Sequence, residues 1–167
     1  KMTESKIGLG IITCNRPEFL AKVLKTVPFN LLRDVVIIDD GTKGSAEPIS
    51  PHPNLTYLRN EKNIGVGKSN RALLHLLRNE CEHLFLLEDD IIIKNPDVFK
   101  AYINAGEQSG LKHLMFGYHG PANKHNKTPI PRVVVDYKNA KIAFNTNCVG
   151  GFCYYKRDLL MRVGLFD

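Results

Sequence analysis

The chain has 167 residues, 43% of them hydrophobic and 24% charged, with a net charge of +6. That is enough for one domain with its own core and excludes a disordered or low-complexity chain. No apolar run approaches the roughly 18 residues that would cross a bilayer, and Lys1 to Lys6 lacks the apolar core of a signal peptide.

The basic balance fits an anionic ligand or an anionic lipid surface. With no basic helix and no aromatic-basic pattern, it gives no support to nucleic-acid binding. Cys14, Cys81, Cys148 and Cys153 have neither metal-ligand nor redox spacing. They read as reduced packing residues, which points to a cytoplasmic protein, at most peripheral to a membrane.

Ile7 to Thr13 reads as a buried first strand. Cys14-Asn15-Arg16-Pro17 breaks it, and Pro17 opens a helix carrying Phe19, Leu20, Val23, Leu24 and Val27 on one face. Val35 to Ile38 is a second buried strand ending in Asp39-Asp40-Gly41-Thr42. Residues 43–54 are a loop rich in Gly and Pro. Leu55 to Arg59 is a third strand, Asn60 to Gly67 a polar loop, and Lys68 to Glu80 a helix facing inward with Ala72, Leu73, Leu76 and Leu77. His83 to Leu87 is a fourth strand, a continuous apolar run into Glu88-Asp89-Asp90. Asn95-Pro96-Asp97 starts the next helix. Leu114 to Tyr118 is a short strand, residues 119–131 a long loop, and Arg132 to Tyr137 with Ala140 to Phe144 a strand pair. Asn147 to Tyr155 re-enters the sheet, and a last helix runs from Lys156 to Val163. His75 in its helix and His83 at its strand start read as structural. There is no repeat and no linker.

Strands alternating with helices predict one α/β domain built on a mainly parallel sheet. Ligands of such sheets bind outside the carboxyl ends of the strands. Three strands here end in polar residues: Thr13-Cys14-Asn15, Asp39-Asp40 and Glu88-Asp89-Asp90. Three adjacent carboxylates are costly without a cation, and oxygen-only ligands suit Mg²⁺ or Mn²⁺ completed by substrate phosphates.

Gly8 to Arg16 resembles the first strand and loop of family 2 glycosyltransferases with the GT-A fold, a Rossmann-like nucleotide-diphospho-sugar transferase fold. Val36 to Thr42 resembles their second strand, and Asn63-Ile64-Gly65-Val66-Gly67-Lys68-Ser69-Asn70-Arg71 their Asn-x-Gly loop and following helix. Glu88-Asp89-Asp90 stands where they carry the metal-binding Asp-x-Asp motif. Gly150-Gly151-Phe152 and the stretch from Arg157 to Asp167 resemble their acceptor-side segment. The Glu-Asp-Asp spelling with Asn95-Pro96-Asp97 behind it is also similar to animal N-acetylglucosaminyltransferase I. Where the family usually has Ala-Arg-Asn, this chain has Ser69-Asn70-Arg71, so the arginine is displaced by one residue.

The resemblance implies an inverting, metal-dependent enzyme that moves an N-acetylhexosamine or hexose from a UDP-sugar to a glycan or lipid-linked glycan, as in polysaccharide biosynthesis. It implies nucleotide contacts from Thr13, Asn15, Arg16, Asp40, Lys68, Arg71 and Asp89. Asp90 would be the metal ligand with Glu88 in support, and Gly150, Gly151 and His119 would lie on the acceptor side. Asp39 would cap or orient its loop. The family carries its general base downstream of the Phe-Asp that Phe166-Asp167 matches, so residues 1–167 are expected to be a donor-binding domain shortened on the acceptor side. Two other readings stay open. One is a non-catalytic nucleotide-sugar-binding module of a larger polymerase. The other is a sugar-phosphate nucleotidyltransferase, which would normally open with a Gly-rich loop where Thr13 to Pro17 stands.

Overall fold

The computed structural model describes residues 6–41, 51–116, 133–138, 140–144 and 150–166. The elements run β1 (Ile7–Thr13), α1 (Pro17–Leu24), β2 (Asp34–Asp39), β3 (Leu55–Arg59), α2 (Gly67–Arg78), β4 (His83–Glu88), α3 (Val98–Ser109), β5 (His113–Met115), β6 (Val133–Tyr137), β7 (Ala140–Phe144), β8 (Phe152–Lys156) and α4 (Arg157–Val163). The main sheet has the order β3-β2-β1-β4-β8-β5, and β6 and β7 form a separate two-stranded sheet. His119, Cys148 and the loop expected at 119–131 lie outside the described residues.

The first four strands are parallel, with β1 between β2 and β4. Chain order therefore reverses beside β1, from β3-β2-β1 on one side to β4 on the other, the kind of switch point at which open α/β sheets bind ligands. The segment expected to re-enter the sheet does so as β8, antiparallel to both β4 and β5. Its reversed direction brings its amino end, Gly150 to Phe152, to the edge where the parallel strands have their carboxyl ends.

β1, β2 and β4 are buried on both faces because they are apolar at nearly every position. One face of the sheet packs Leu9, Ile11, Val35, Ile37, Phe85 and Leu87 against Leu20 and Val23 of α1 and Phe99 of α3. The other packs Val36, Ile38, Leu84 and Leu86 against Ala72, Leu73 and Leu76 of α2 and Leu160 of α4. Gly10 permits the close approach of α2: a Cβ there would come within 2.9 Å of both the Ala72 Cβ and the Leu86 Cδ2.

The helix limits follow local chemistry. α1 starts at Pro17 and ends at Leu24 rather than Val27, because the Thr26 hydroxyl and amide both donate to the Val23 carbonyl, at 2.7 and 2.8 Å. α3 ends at Gly110, whose φ of 76° lets its N–H reach the Gly106 carbonyl at 2.9 Å. Cys14, Cys81 and Cys153 form no disulfide with one another, and burial pushes the Cys81 thiol up to about 12.

His83 lies away from the candidate edge, with Nδ1 3.0 Å from the Tyr154 hydroxyl. Burial, then the Lys156 cation, lowers its pKa from 6.5. The folded chain thus binds fewer protons than the unfolded chain as pH falls through that value, so stability declines there. The melting temperature of the wild type is expected to fall more steeply between about pH 7.5 and about pH 5.5 than that of His83→Gln. Parallel curves would remove His83 as the cause.

Candidate functional site

Four parallel strands deliver their carboxyl ends to one edge, and each end carries polar side chains. The backbone ladder extends past the strands, with Asp40 N–H donating to Thr13 O at 2.9 Å, Asp89 N–H to Ile12 O at 3.2 Å and Asn60 N–H to Asp39 O at 2.8 Å. Asp40, Asn60 and Asp89 are therefore fixed by main-chain pairing before their side chains act. β2 and β4 flank β1, so their ends lie about 10 Å apart, two strand spacings.

Asp39 and Asp40 are both fully buried, and they do different work. Asp39 Oδ1 accepts from Gly41 N–H at 2.8 Å, and its Oδ2 accepts from the Tyr57 hydroxyl. That is the loop-orienting role expected for it. Gly41 is required there: a Cβ would come 2.6 Å from Asn15 Oδ1 and 2.9 Å from Asp39 Oδ1. Asp40 Oδ1 accepts two hydrogen bonds, from Asn60 Nδ2 at 2.8 Å and from Ile64 N–H at 2.9 Å. Asp40 Oδ2 is buried and has no hydrogen-bond partner. A buried carboxylate oxygen left unpaired costs about 1–3 kcal/mol or more, so this oxygen marks a place built for a donor.

Asn60 and Tyr57 are the residues that the sequence did not single out. Asn60, 6% exposed, is the first residue after β3 and makes a fourth polar strand end. Arg71 Nη1 donates to Asn60 Oδ1 and, at 3.2 Å, to Arg59 O. A recess of about 190 Å³ lined by Arg59, Asn60 and Glu61 opens beside them.

At the end of β4 the acids are already partly neutralised. Asn15 has a φ of 54°, a conformation that Asn tolerates better than most residues, and the chain turns there out of β1. Arg16 follows, with Nη2 2.9 Å from Asp89 Oδ1 and Nη1 3.4 Å from Asp90 Oδ2. Its guanidinium also stands 5.7 Å from the Phe19 ring centre. Thr13 donates to Asp89 Oδ2 at 2.6 Å. Asp89 is fully buried, and its Oδ1 has a charge partner in Arg16 but no aligned hydrogen bond. Asp90 is 44% exposed. Glu88 is exposed and lies next to the glycines: its N–H donates to Gly151 O at 3.0 Å, and a Cβ on Gly150 would stand 3.5 Å from Glu88 Oε1.

The structure thus gathers Thr13, Arg16, Asp89 and Asp90 into one cluster, with Glu88, Gly150 and Gly151 beside it. Asp40 forms a second cluster with Asn60 and Arg71, and Asn15 stands between the clusters against Gly41. Lys68 lies half-buried in the first turn of α2, directly after the Asn63–Val66 loop that contacts Asp40 and Cys14. No group of three His, Cys, Asp or Glu side chains among the described residues is arranged to hold a metal ion by itself. The donors that are present suit a hard cation that takes one or two carboxylates and completes its shell with phosphate oxygens and water. Among the described residues no helix is long and apolar enough to cross a membrane.

No protein-family model and no curated protein matches this chain. Solved structures do. A mannosyltransferase from Pyrobaculum calidifontis, solved in complex with GDP-Man and Mn²⁺, is similar over 99% of this chain with a TM-score of 0.63 and 18% identity. This chain spans 48% of that protein's length. The 4-diphosphocytidyl-2C-methyl-D-erythritol synthase of Anaerococcus prevotii DSM 20548 is similar over 93% of this chain and 72% of its own, with a TM-score of 0.54 and 10% identity. At such identities the likeness shows the fold alone, a GT-A-like α/β arrangement with a mostly parallel central sheet flanked by helices.

Proposed function

We propose that this chain is the donor-binding part of a metal-dependent, inverting glycosyltransferase that takes its sugar from a UDP-sugar. The observation that carries the reading is the pairing of two anionic sites at one switch point: the unfilled Oδ2 of buried Asp40 and the Arg16-capped pair Asp89–Asp90. Their separation of about 10 Å matches the reach of a nucleoside from its base to its phosphates. The mannosyltransferase neighbour, with its GDP-Man and Mn²⁺, supports a nucleotide-sugar and a divalent cation for this fold.

Each residue then has a task. Asp40 Oδ2 accepts a hydrogen bond from a ring N–H of the base. Asp89 Oδ1, paired by charge but without an aligned donor, accepts from a ribose hydroxyl. Asn15 and Thr13 shape the floor under the nucleoside. Arg16 and Lys68 contribute positive charge toward the phosphates. Asp90, with Glu88 in support, would hold Mn²⁺ or Mg²⁺. When bound, that cation neutralises the charge that builds on the departing nucleoside diphosphate. Gly150, carried to the edge by the antiparallel β8, leaves room for the sugar and the acceptor beside Glu88, while Gly151 next to it is buried against Ile91, whose Cδ1 a Cβ would meet at 2.4 Å. His119 is proposed on the same side. The general base is assigned beyond Asp167, in keeping with the 48% of the mannosyltransferase that this chain spans.

The sugar is assigned as an N-acetylhexosamine or a hexose and the acceptor as a glycan or lipid-linked glycan, met in the cytoplasm or at a membrane surface. The nucleotidyltransferase reading has the synthase neighbour in its favour. It lacks a Gly-rich loop after β1, where Arg16 instead folds onto Asp89. A purely binding role makes the same donor site without transfer.

Calorimetry of UDP with and without Mn²⁺ tests the donor site. Binding that requires the metal is expected. Metal-independent binding, or none, would sink the reading. Transfer and hydrolysis of UDP-sugars by a chain extended beyond Asp167 then separates an enzyme from a binding module.

A further inference from the structure

The fully buried Asp40 carboxylate is asymmetric. Oδ1 has both lone-pair positions filled, by Asn60 Nδ2 and by Ile64 N–H, while Oδ2 has none filled. The asymmetry has a cause further out. The Asn60 side chain can donate to Asp40 only if its amide oxygen faces the other way, and Arg71 Nη1 holds that oxygen. The same Nη1 is tied to Arg59 O at 3.2 Å, so the arginine is anchored to the end of β3.

We infer that Arg71 is a positioning residue for base selection: through Asn60 it presents one oxygen of Asp40 to the donor base, which favours uracil over guanine. The inference rests on the donor-site reading above and deepens it. Uracil offers a single ring N–H between two carbonyl groups, and one free acceptor satisfies it. Guanine offers a ring N–H and an exocyclic amino group side by side, and a carboxylate reads that pair with both oxygens. Here the second oxygen is already filled, so the guanine amino group would be left unpaired against it. Cytosine and adenine present a bare ring nitrogen at this point, which a carboxylate repels. A site built for one polar pattern discriminates strongly against a ligand that leaves a buried group unmatched.

The test is calorimetry in Mn²⁺ with UDP, GDP and inorganic pyrophosphate, on the wild type, Arg71→Gln and Asn60→Ala. The wild type should bind UDP about tenfold or more tightly than GDP, the worth of one hydrogen bond to a charged group. Both variants should weaken UDP by about tenfold and narrow its advantage over GDP. Their pyrophosphate affinity should stay within about twofold of wild type, which also reports an intact fold. The inference is overturned if the wild type binds GDP as well as UDP. It is overturned equally if Arg71→Gln weakens pyrophosphate as much as UDP, because the arginine would then be a phosphate ligand. Pyrophosphate binding without base preference removes this inference and leaves the donor site standing. Binding of none of the three by the wild type removes both.

Discussion

Asp90→Ala is expected to weaken Mn²⁺-dependent UDP binding by about 100-fold or more, since loss of even an outer-shell partner costs a metal site 10–100-fold. The fold should survive. Asp90 is 44% exposed, and its recorded partner is Arg16 Nη1 at 3.4 Å, a loose surface contact of little worth. Asp90 can therefore bind an ion at the cost of that one loose contact. Asp89 cannot play that part equally well, because Thr13 and Arg16 already occupy it. Glu88→Gln should have a smaller effect, since Glu88 borders the glycines and pairs with no cation among the described residues. Calorimetry with a metal titration, run beside a thermal melt, separates the two properties. An Asp90→Ala chain that keeps its metal dependence would move the ion elsewhere and leave the acidic edge to Arg16 alone.

Much of this edge was legible in the sequence. Continuous apolar runs such as Val35 to Ile38 and Leu84 to Leu87 signal strands buried on both faces, and polar residues directly after them signal the ligand edge of a parallel sheet. That logic placed Thr13, Asp40, Asp89 and Asp90 correctly on one edge. It did not fix the direction of β8. Phe152 to Lys156 reads the same whether it pairs parallel or antiparallel, and only the antiparallel register, with Leu87 opposite Phe152, brings Gly150 and Gly151 to the site. It also missed Asn60. An isolated Asn after a strand looks like the start of a loop, and its burial is created by contacts with Asp40 and Arg71, which lie 20 and 11 residues away. Arg71 shows the same limit. Helical spacing puts it on the face of α2 shared with Leu74 and Arg78, away from Ala72, Leu73 and Leu76, and spacing does not say whether a flexible guanidinium there reaches a ligand or a neighbouring strand end.

Arg16→Ala is expected to lower stability by about 1–3 kcal/mol, with part of the loss restored by millimolar Mn²⁺. The asymmetry of the pair drives this. Asp89 is fully buried while the Arg16 side chain is 44% exposed. Removing the arginine leaves a buried carboxylate whose Oδ1 has lost its charge partner, and only Thr13 remains on Oδ2. Solvent reaching the exposed guanidinium weakens the pair, which places the loss below the 3–5 kcal/mol of a fully buried one. For a chain of this size that is a fall of about 2–4 °C in melting temperature per kcal/mol. Asp89→Asn removes the charge that needs balancing, so in that background Arg16→Ala should cost much less, and a double-mutant cycle measures the difference. Mn²⁺ supplies the missing positive charge at the same edge. It should therefore raise the melting temperature of Arg16→Ala more than that of the wild type, where the guanidinium and the ion compete for Asp90. Equal stabilisation of both chains would mean that the two cations act at separate places. A larger shift in the variant would identify Arg16 as the charge that keeps these carboxylates together until a metal-bound diphosphate arrives.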